Sequence, residues 1–394
     1  MSKSGEVRDA PWEGLEALQL VGGSAYGGAV PVIFAIMDVT AALGMRPVLL
    51  ASHPDVVAAA LAEGREVWDF PGIDRDPRPL HDLVVALRLA GALRRRGVRI
   101  VHTHTSKGGM VGRLAARLAG CDLVIHHTHS FYHTGLGPGA RRRSMRAFER
   151  FFARLDDRQI FINSGEMRDA TASGLVPSGR AALVPNGIDD PRDPAATASS
   201  LRGSWGVPSG AEVIGTVCRI DIETKGLDTG LAAFAELAAV RPTTHWVIAG
   251  KGEDEAMFRS RVAAAGLDDR VHLLGHVPRA GALHAGFDVT LAPSRREGQS
   301  VTIMEAMACG TPVVATRIPG NLDLVLDGVN GSLALVDDAA TMASALGALL
   351  EDPEARIRMG AAGRRMYERE YTRTAFEERM REFYAEALRG AFGS

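Results

Sequence analysis

Glu297-Gly298-Gln299-Ser300-Val301-Thr302-Ile303-Met304-Glu305 follows a short apolar run at 289–292 and leads into residues of helical period. A strand that passes through a glycine-bearing turn into a helix is one βα unit. Gly298 allows a backbone to come close to a ligand, and Ser300 is of a type that caps helix N-termini. The amides of residues 299–302 would then point from a helix start at an anion. Glu297 in the turn and Glu305 inside the helix can reach different parts of one extended ligand. Their carboxylates are suited to accept hydrogen bonds from sugar and ribose hydroxyls.

The same unit repeats outward from this stretch. Residues 17–21, 47–51, 100–102, 123–126, 159–162 and 182–184 read as strands, with helical periodicity at 30–43, 80–96 and 109–118. The pattern restarts with strands at 212–217, 244–249, 271–274, 289–292, 312–315 and 332–335, separated by helices such as 229–240, 253–265 and 303–308. Alternating βα units predict a parallel sheet covered on both faces, and two series predict two doubly wound α/β domains. The turn formers Pro185-Asn186-Gly187-Ile188-Asp189, followed by a Pro-, Asp-, Ala- and Ser-rich stretch, mark the boundary. The expected organisation is 1–187, 188–371 and a last helix in 372–394 that packs back on one of the domains. Open α/β sheets bind ligands beyond the carboxyl ends of their strands, so the two sheets predict a site between them.

Composition narrows the function. The chain has 394 residues and a net charge of −2, which excludes a dedicated nucleic-acid binder. Cys121, Cys218 and Cys309 lie far apart, which excludes a disulfide scaffold and suits a reducing cytoplasm. Residues 1–14 have no apolar signal segment, and the longest apolar stretch, 29–45, is broken by Asp38. Up to Gly187 the chain has 23 Lys and Arg against 18 Asp and Glu, leaving 22 and 29 beyond it. A basic half of this kind suits an anionic partner, and residues 140–154 add six arginines to Met145, Phe148, Phe151 and Phe152 at helical spacing. Those aromatics are read as core, with peripheral membrane contact through the basic face as the alternative.

Other candidates lie at strand ends. Arg219 and Lys225 follow the strand at 212–217, where two cations can clamp a diphosphate, Arg by its fork and Lys as a point charge. Gly27-Gly28 closes a glycine-rich loop between the first strand and the first helix, and Gly250-Lys251-Gly252 is a weak dinucleotide fingerprint. His102, His104, His126, His127, His129 and His133 crowd together. With no cysteine among them, they are read as site-lining histidines, and no metal is assigned.

In this order and spacing the pieces resemble the retaining glycosyltransferases of family 4. The residues that carry the resemblance are Gly27-Gly28, His102-Thr-His104-Thr-Ser-Lys-Gly108, Thr128-His129, Pro185-Asn-Gly-Ile-Asp189, Arg219 with Lys225-Gly226, Gly250-x-Gly252, and Glu297-x7-Glu305 with Gly310. The resemblance implies the GT-B fold, two facing Rossmann-like domains with an interdomain cleft. It implies transfer of a sugar from a nucleoside diphosphate sugar with retained anomeric configuration, to a saccharide, lipid-linked or natural-product acceptor. No cofactor or metal is required.

By the same resemblance Arg219 and Lys225 neutralise the diphosphate and Glu305 holds the ribose. Glu297, with the backbone of Gly298, Gln299, Ser300 and Val301, holds the donor sugar and distal phosphate. Gly28 offers its amide to the phosphate or acceptor, and His129 contacts the transferred sugar. Many relatives have Phe-Gly after the first glutamate where this chain has Gly298-Gln299-Ser300, which leaves the donor sugar open. The expected location is the cytoplasm, peripherally at the inner face of the membrane. The alternatives are a non-catalytic sugar-nucleotide-binding protein of the same fold and an NAD-dependent oxidoreductase, for which a full GxGxxG is missing.

Overall fold

The computed structural model describes residues 10–22, 28–73, 78–131 and 139–393. The chain divides into two compact units, the first made of residues 1–185 with 376–394 and the second of 186–375. The break falls inside the Pro185–Asp189 turn.

The first unit contains β1 (Glu16–Val21), β2 (Arg46–Ala51), β3 (Ile100–His104), β4 (Leu123–Thr128), β5 (Arg158–Phe161) and β6 (Ala181–Leu183). They form one parallel sheet in the order β2-β1-β3-β4-β5-β6. β1 and β4 are buried along their whole length, as strands covered on both faces must be. One face packs on the helix Pro79–Arg96 through Val85, Leu89 and Leu93. Against the other lies the last helix, Arg373–Phe392, whose Phe376, Met380, Phe383, Tyr384 and Leu388 meet Ile100, Ile125 and Ile160.

The second unit contains β7 (Glu212–Val217), β8 (Thr244–Ala249), β9 (Val271–Gly275), β10 (Val289–Ala292), β11 (Val313–Thr316) and β12 (Gly331–Ala334). All are parallel, in the order β12-β11-β10-β7-β8-β9. This is the dinucleotide-fold order, and its direction reverses between β7 and β10. Trp246, Phe234 and Phe258 fill its core. In the first sheet the reversal falls between β1 and β3. Loops at such a switch point splay apart and leave a crevice for ligands.

Two expectations need correction. In the helix Ala140–Ala153 only Phe152 of the three phenylalanines is buried; Phe148 and Phe151 are 44% and 53% exposed, so the aromatic stripe is only partly core. The strands β3 and β4 run two residues further than their apolar runs suggest, because neutral imidazoles at 102, 104 and 127 occupy core positions. Among the described residues no helix is long and apolar enough to cross a membrane.

Candidate active site

In the second unit, the loops after β7 and β10 carry eight of the candidates. Asp221 caps the short helix Ile222–Lys225 by accepting from the Thr224 amide at 2.9 Å, and its other oxygen accepts from Arg219 Nη2 at 2.8 Å. Arg219 is 61% exposed, so its fork has room for an anion besides Asp221. Lys225 ends that helix and its Nζ donates to Glu297 Oε1 at 2.6 Å. Burial alone would draw protons off Lys225, but the Glu297 charge outweighs it and holds the ammonium above its ordinary pKa. The same Glu297 oxygen accepts from Ser294 Oγ at 2.9 Å.

Ser300 stands at the N-cap of the helix Val301–Cys309, but its side chain makes no capping bond. The expected cap is a backbone position only, which leaves the first-turn amides of the helix without a side-chain acceptor from Ser300. Gln299 also differs from expectation: its side chain is buried and Oε1 accepts from the Asn186 amide at 2.8 Å. Its carbonyl oxygen therefore fastens the Asn186 turn, while its Nε2 is buried without a partner among the described residues. Gly320 lies under this loop, where a Cβ would stand 2.3 Å from the Glu297 carbonyl oxygen. Motif reading passes over Gly320; its signal is the turn Pro319-Gly320-Asn321 shortly after β11.

Glu305 lies one turn further into the helix. One side of it is the backbone of Gly281; the other is His284, whose Nε2 is 3.9 Å from Glu305 Oε2. Burial pushes the His284 pKa down to about 3, so no cation offsets Glu305, whose own pKa burial raises to about 7. A desolvated carboxyl of this kind, in the first turns of a helix at a sheet switch point, is a functional-site signal. The Gly250-Lys251-Gly252 motif plays another part. Gly250 has φ +144°, and a Cβ there would lie 1.8 Å from the Cys218 carbonyl oxygen. Its role is to let the β8 loop lie against the backbone that carries Arg219, with Lys251 O accepting from the Ile220 amide at 3.1 Å.

In the first unit, Gly28 is exposed at the N-cap of the helix Ala29–Ala42, with right-handed backbone angles. Gly27 and His133 lie outside the described residues. The His102–Gly108 motif ends β3 and starts the helix Ser106–Ala119. Thr105 adopts φ 62°, donates to the Gly22 carbonyl at 3.1 Å and accepts from the Gly108 amide at 3.3 Å, tying the β3 loop to the end of β1. Lys107 is buried in a 2.5 Å ion pair with Asp82.

The histidines separate by strand face. His126 turns to Thr103, with 2.9 Å between Nδ1 and Oγ1. His102, His104, His127 and His129 stack on the other face; His127 and His129 are 4.5 Å apart at 6°. A hydrogen-bond chain runs through them. His104 Nε2 is 3.0 Å from Gln19 Oε1, Gln19 Nε2 donates to Tyr384 Oη at 3.2 Å, and Tyr384 Oη is 2.7 Å from His102 Nδ1. His129 Nε2 is 3.4 Å from His104 Nδ1. Burial alone lowers the His129 pKa to about 4, so it is a neutral ring at the end of β4. Gln19 and Tyr384 carry no motif signal, and their partnership spans 365 residues.

The candidate residues thus fall into two groups, Arg219, Lys225, Glu297, Gly298, Gln299, Ser300, Val301 and Glu305 at one switch point, and Gly28 and His129 in the other unit. Residues 198–366 match the family Glycosyl transferases group 1, and residues 27–187 match the Glycosyl transferase 4-like domain. The chain is 27% identical over 292 residues to the UDP-Gal:alpha-D-GlcNAc-diphosphoundecaprenol alpha-1,3-galactosyltransferase of Escherichia coli, covering 72% of this chain and 74% of that protein. It is 30% identical over 341 residues to the D-inositol 3-phosphate glycosyltransferase of Xylanimonas cellulosilytica, covering 81% and 80%. The crystal structure of Anabaena HepE in complex with UDP and glucose superposes with a TM-score of 0.81 at 19% identity, covering 94% of this chain and all of that one. Two Rossmann-like parallel sheets in this order, with these relatives, make the fold GT-B, and the chain belongs to the group 1 glycosyltransferases.

Proposed function

We propose that the protein transfers a sugar from a nucleoside diphosphate sugar to an acceptor hydroxyl with retention of anomeric configuration. The observation that carries this reading is the grouping, at one switch point, of two cations, a helix N-terminus and two carboxyl groups, one ion-paired to Lys225 and the other desolvated. Arg219, Lys225 and the first-turn amides after Ser300 face charge of diphosphate type; Glu305 receives the ribose hydroxyls; Glu297 with the Gly298 backbone receives the donor sugar.

In the reaction the bond from the anomeric carbon to the phosphate oxygen breaks, and a bond to the acceptor oxygen forms on the same face of the sugar. The acceptor proton passes to the departing phosphate oxygen. Charge gathers on that diphosphate, so preorganised cations and amides lower the barrier without a protein nucleophile. In the ligand-free protein Glu297 holds Lys225 charged and in place. An arriving diphosphate shares that ammonium, and Glu297 is then able to accept from a sugar hydroxyl. The chemistry asks for no metal at the diphosphate.

His129 and Gly28 are assigned to the transferred sugar and to the phosphate or acceptor. UDP is the first nucleotide to test, given the relatives. For the acceptor we favour a saccharide on an anionic lipid, in keeping with the exposed Phe148 and Phe151 among the arginines of the helix Ala140–Ala153. Thermal denaturation with UDP, GDP, ADP, dTDP and NADH tests the donor class, since a selective ligand raises stability by RT ln(1 + [L]/Kd). Stabilisation by one diphosphate supports the proposal; stabilisation by NADH alone overturns it in favour of an oxidoreductase. A non-catalytic binding protein would respond to the nucleotide yet never release it from its sugar.

A further inference from the structure

His102-Thr103-His104 on β3 and His127-Thr128-His129 at the end of β4 are two copies of one tripeptide on neighbouring parallel strands, with His104 paired to His127 in register. Alternation along a strand puts the two histidines of each copy on the same face. His102, His104 and His127 are each fully buried.

The hydrogen-bond chain sets their protons. Gln19 donates its amide to Tyr384 and therefore offers Oε1 to His104, which must donate from Nε2. His104 Nδ1 is then the acceptor for His129. Tyr384, already accepting from Gln19, donates to His102 Nδ1. Among the described residues the chain leaves three ring nitrogens with no partner: Nε2 of His102 and both nitrogens of His127. Buried polar atoms in folded proteins are almost always paired, with protein, with water or with an ion. One nitrogen from each of His102, His104 and His127 lies within 4.8 Å of the other two. Burial, and then the neighbouring imidazoles, keep all three rings neutral, the state in which imidazole is a metal ligand.

We infer that His102, His104 and His127 form a binding site for a divalent first-row transition ion of the zinc class. Imidazoles without carboxylates suit zinc, cobalt, nickel or copper and do not suit magnesium or calcium. With metal–nitrogen distances of about 2.0–2.1 Å, three nitrogens at this spacing close on an ion by inward shifts of under about 1 Å. His102 now stacks on both His104 and His127, which are tilted by 36° to each other, so loading also turns the ring edges toward a common point. His127 brings a nitrogen with no bond to give up, His102 gives up the Nε2 proton, and His104 exchanges one of its two hydrogen bonds. The ion would tie β3 to β4 inside the first unit and takes no part in the diphosphate chemistry, so the inference stands apart from the proposed donor.

The test is titration of the full-length chain, dialysed against a chelator, with Co²⁺ and then Zn²⁺. Uptake of one Co²⁺ per chain is expected, with visible d–d absorption that Zn²⁺ displaces and a melting temperature that rises with Zn²⁺ concentration. His127→Phe fills the same space without ring nitrogens and should abolish the band; His102→Gln should weaken uptake at least tenfold, and serves if His127→Phe does not fold. The pair His245 and His272 of the second unit, 2.9 Å apart, with His245 buried and His272 half-buried, is the control. Absence of saturable uptake by the wild-type chain overturns the site. So does uptake that survives both variants, or that disappears with His245→Ala and His272→Ala.

Discussion

Lys225 and Glu297, 72 residues apart and after different strands, share an ion pair of 2.6 Å that is about four-fifths shielded from water. Breaking one side of such a pair strands the other charge. Glu297→Gln should destabilise the fold by about 1–3 kcal/mol and lower the Lys225 pKa. Transfer should fall about 10²-fold because sugar and ammonium both lose a partner. Denaturant unfolding and turnover of a sugar donor measure the two effects; a variant of wild-type stability and rate removes the pair from the site.

Arg219 offers the converse case. It is exposed, and among the described residues its side chain holds the neighbouring Asp221. Arg219→Ala should leave stability within about 0.5 kcal/mol. If its fork holds the departing diphosphate, kcat/KM should fall about 10²-fold or more. Equal turnover by the variant would exclude it from the clamp.

Glu305 gives a pH signature. Its folded-state pKa of about 7 lies above the ordinary carboxyl value of 4.5, so the native state holds a proton that the unfolded chain has lost. Stability therefore falls as pH rises through the window between those values and is level above it. Ribose hydroxyls need the carboxylate, so nucleoside diphosphate affinity should move oppositely, weakening up to tenfold per unit as pH drops below about 7. Isothermal titration with UDP at several pH values, on wild type and Glu305→Gln, checks this. A pH profile shared by both proteins would mean another group titrates.

Tyr384 joins the last helix to the histidine stack through Gln19 and His102. Tyr384→Phe keeps the ring and deletes the hydroxyl, leaving both partners buried and unpaired. A loss of about 1–3 kcal/mol is expected in denaturant unfolding. No loss would mean that water replaces the hydroxyl.

Gly250→Ala should cost more than about 3 kcal/mol, because a methyl group meets a carbonyl oxygen that cannot retreat without moving the strand that carries Arg219. Circular dichroism melting reads the loss, and a small effect would show that the β8 loop has room.

The alternation of strand and helix was legible because a parallel sheet covered on both faces needs short, wholly buried and largely apolar strands. Val289–Ala292 and Val313–Thr316 display this directly. The acidic pair was legible as a spacing, one glutamate in the turn and one in the helix. Its surroundings were not, since the ion pair of Glu297 with Lys225 and the burial that raises the Glu305 pKa both come from residues distant in the chain. Gln299 shows a similar limit: a polar residue at a helix start looks ligand-facing until its side chain proves to hold Asn186. Phe148 and Phe151 have the period of a buried face, but period alone does not say which side of a helix another element covers.

The polypeptide leaves the first unit at Pro185 and returns to it at Phe376. A ribosome delivers residues in order, so the sheet of the first unit emerges long before Phe376, Met380, Phe383 and Tyr384, which cover one of its faces. For the time needed to synthesise some 190 intervening residues, at about 5–20 residues per second, Ile100, Ile125 and Ile160 wait without their cover. The nascent chain thus presents a chaperone with a half-roofed sheet for about 10–40 s, and the second unit can finish folding before the first.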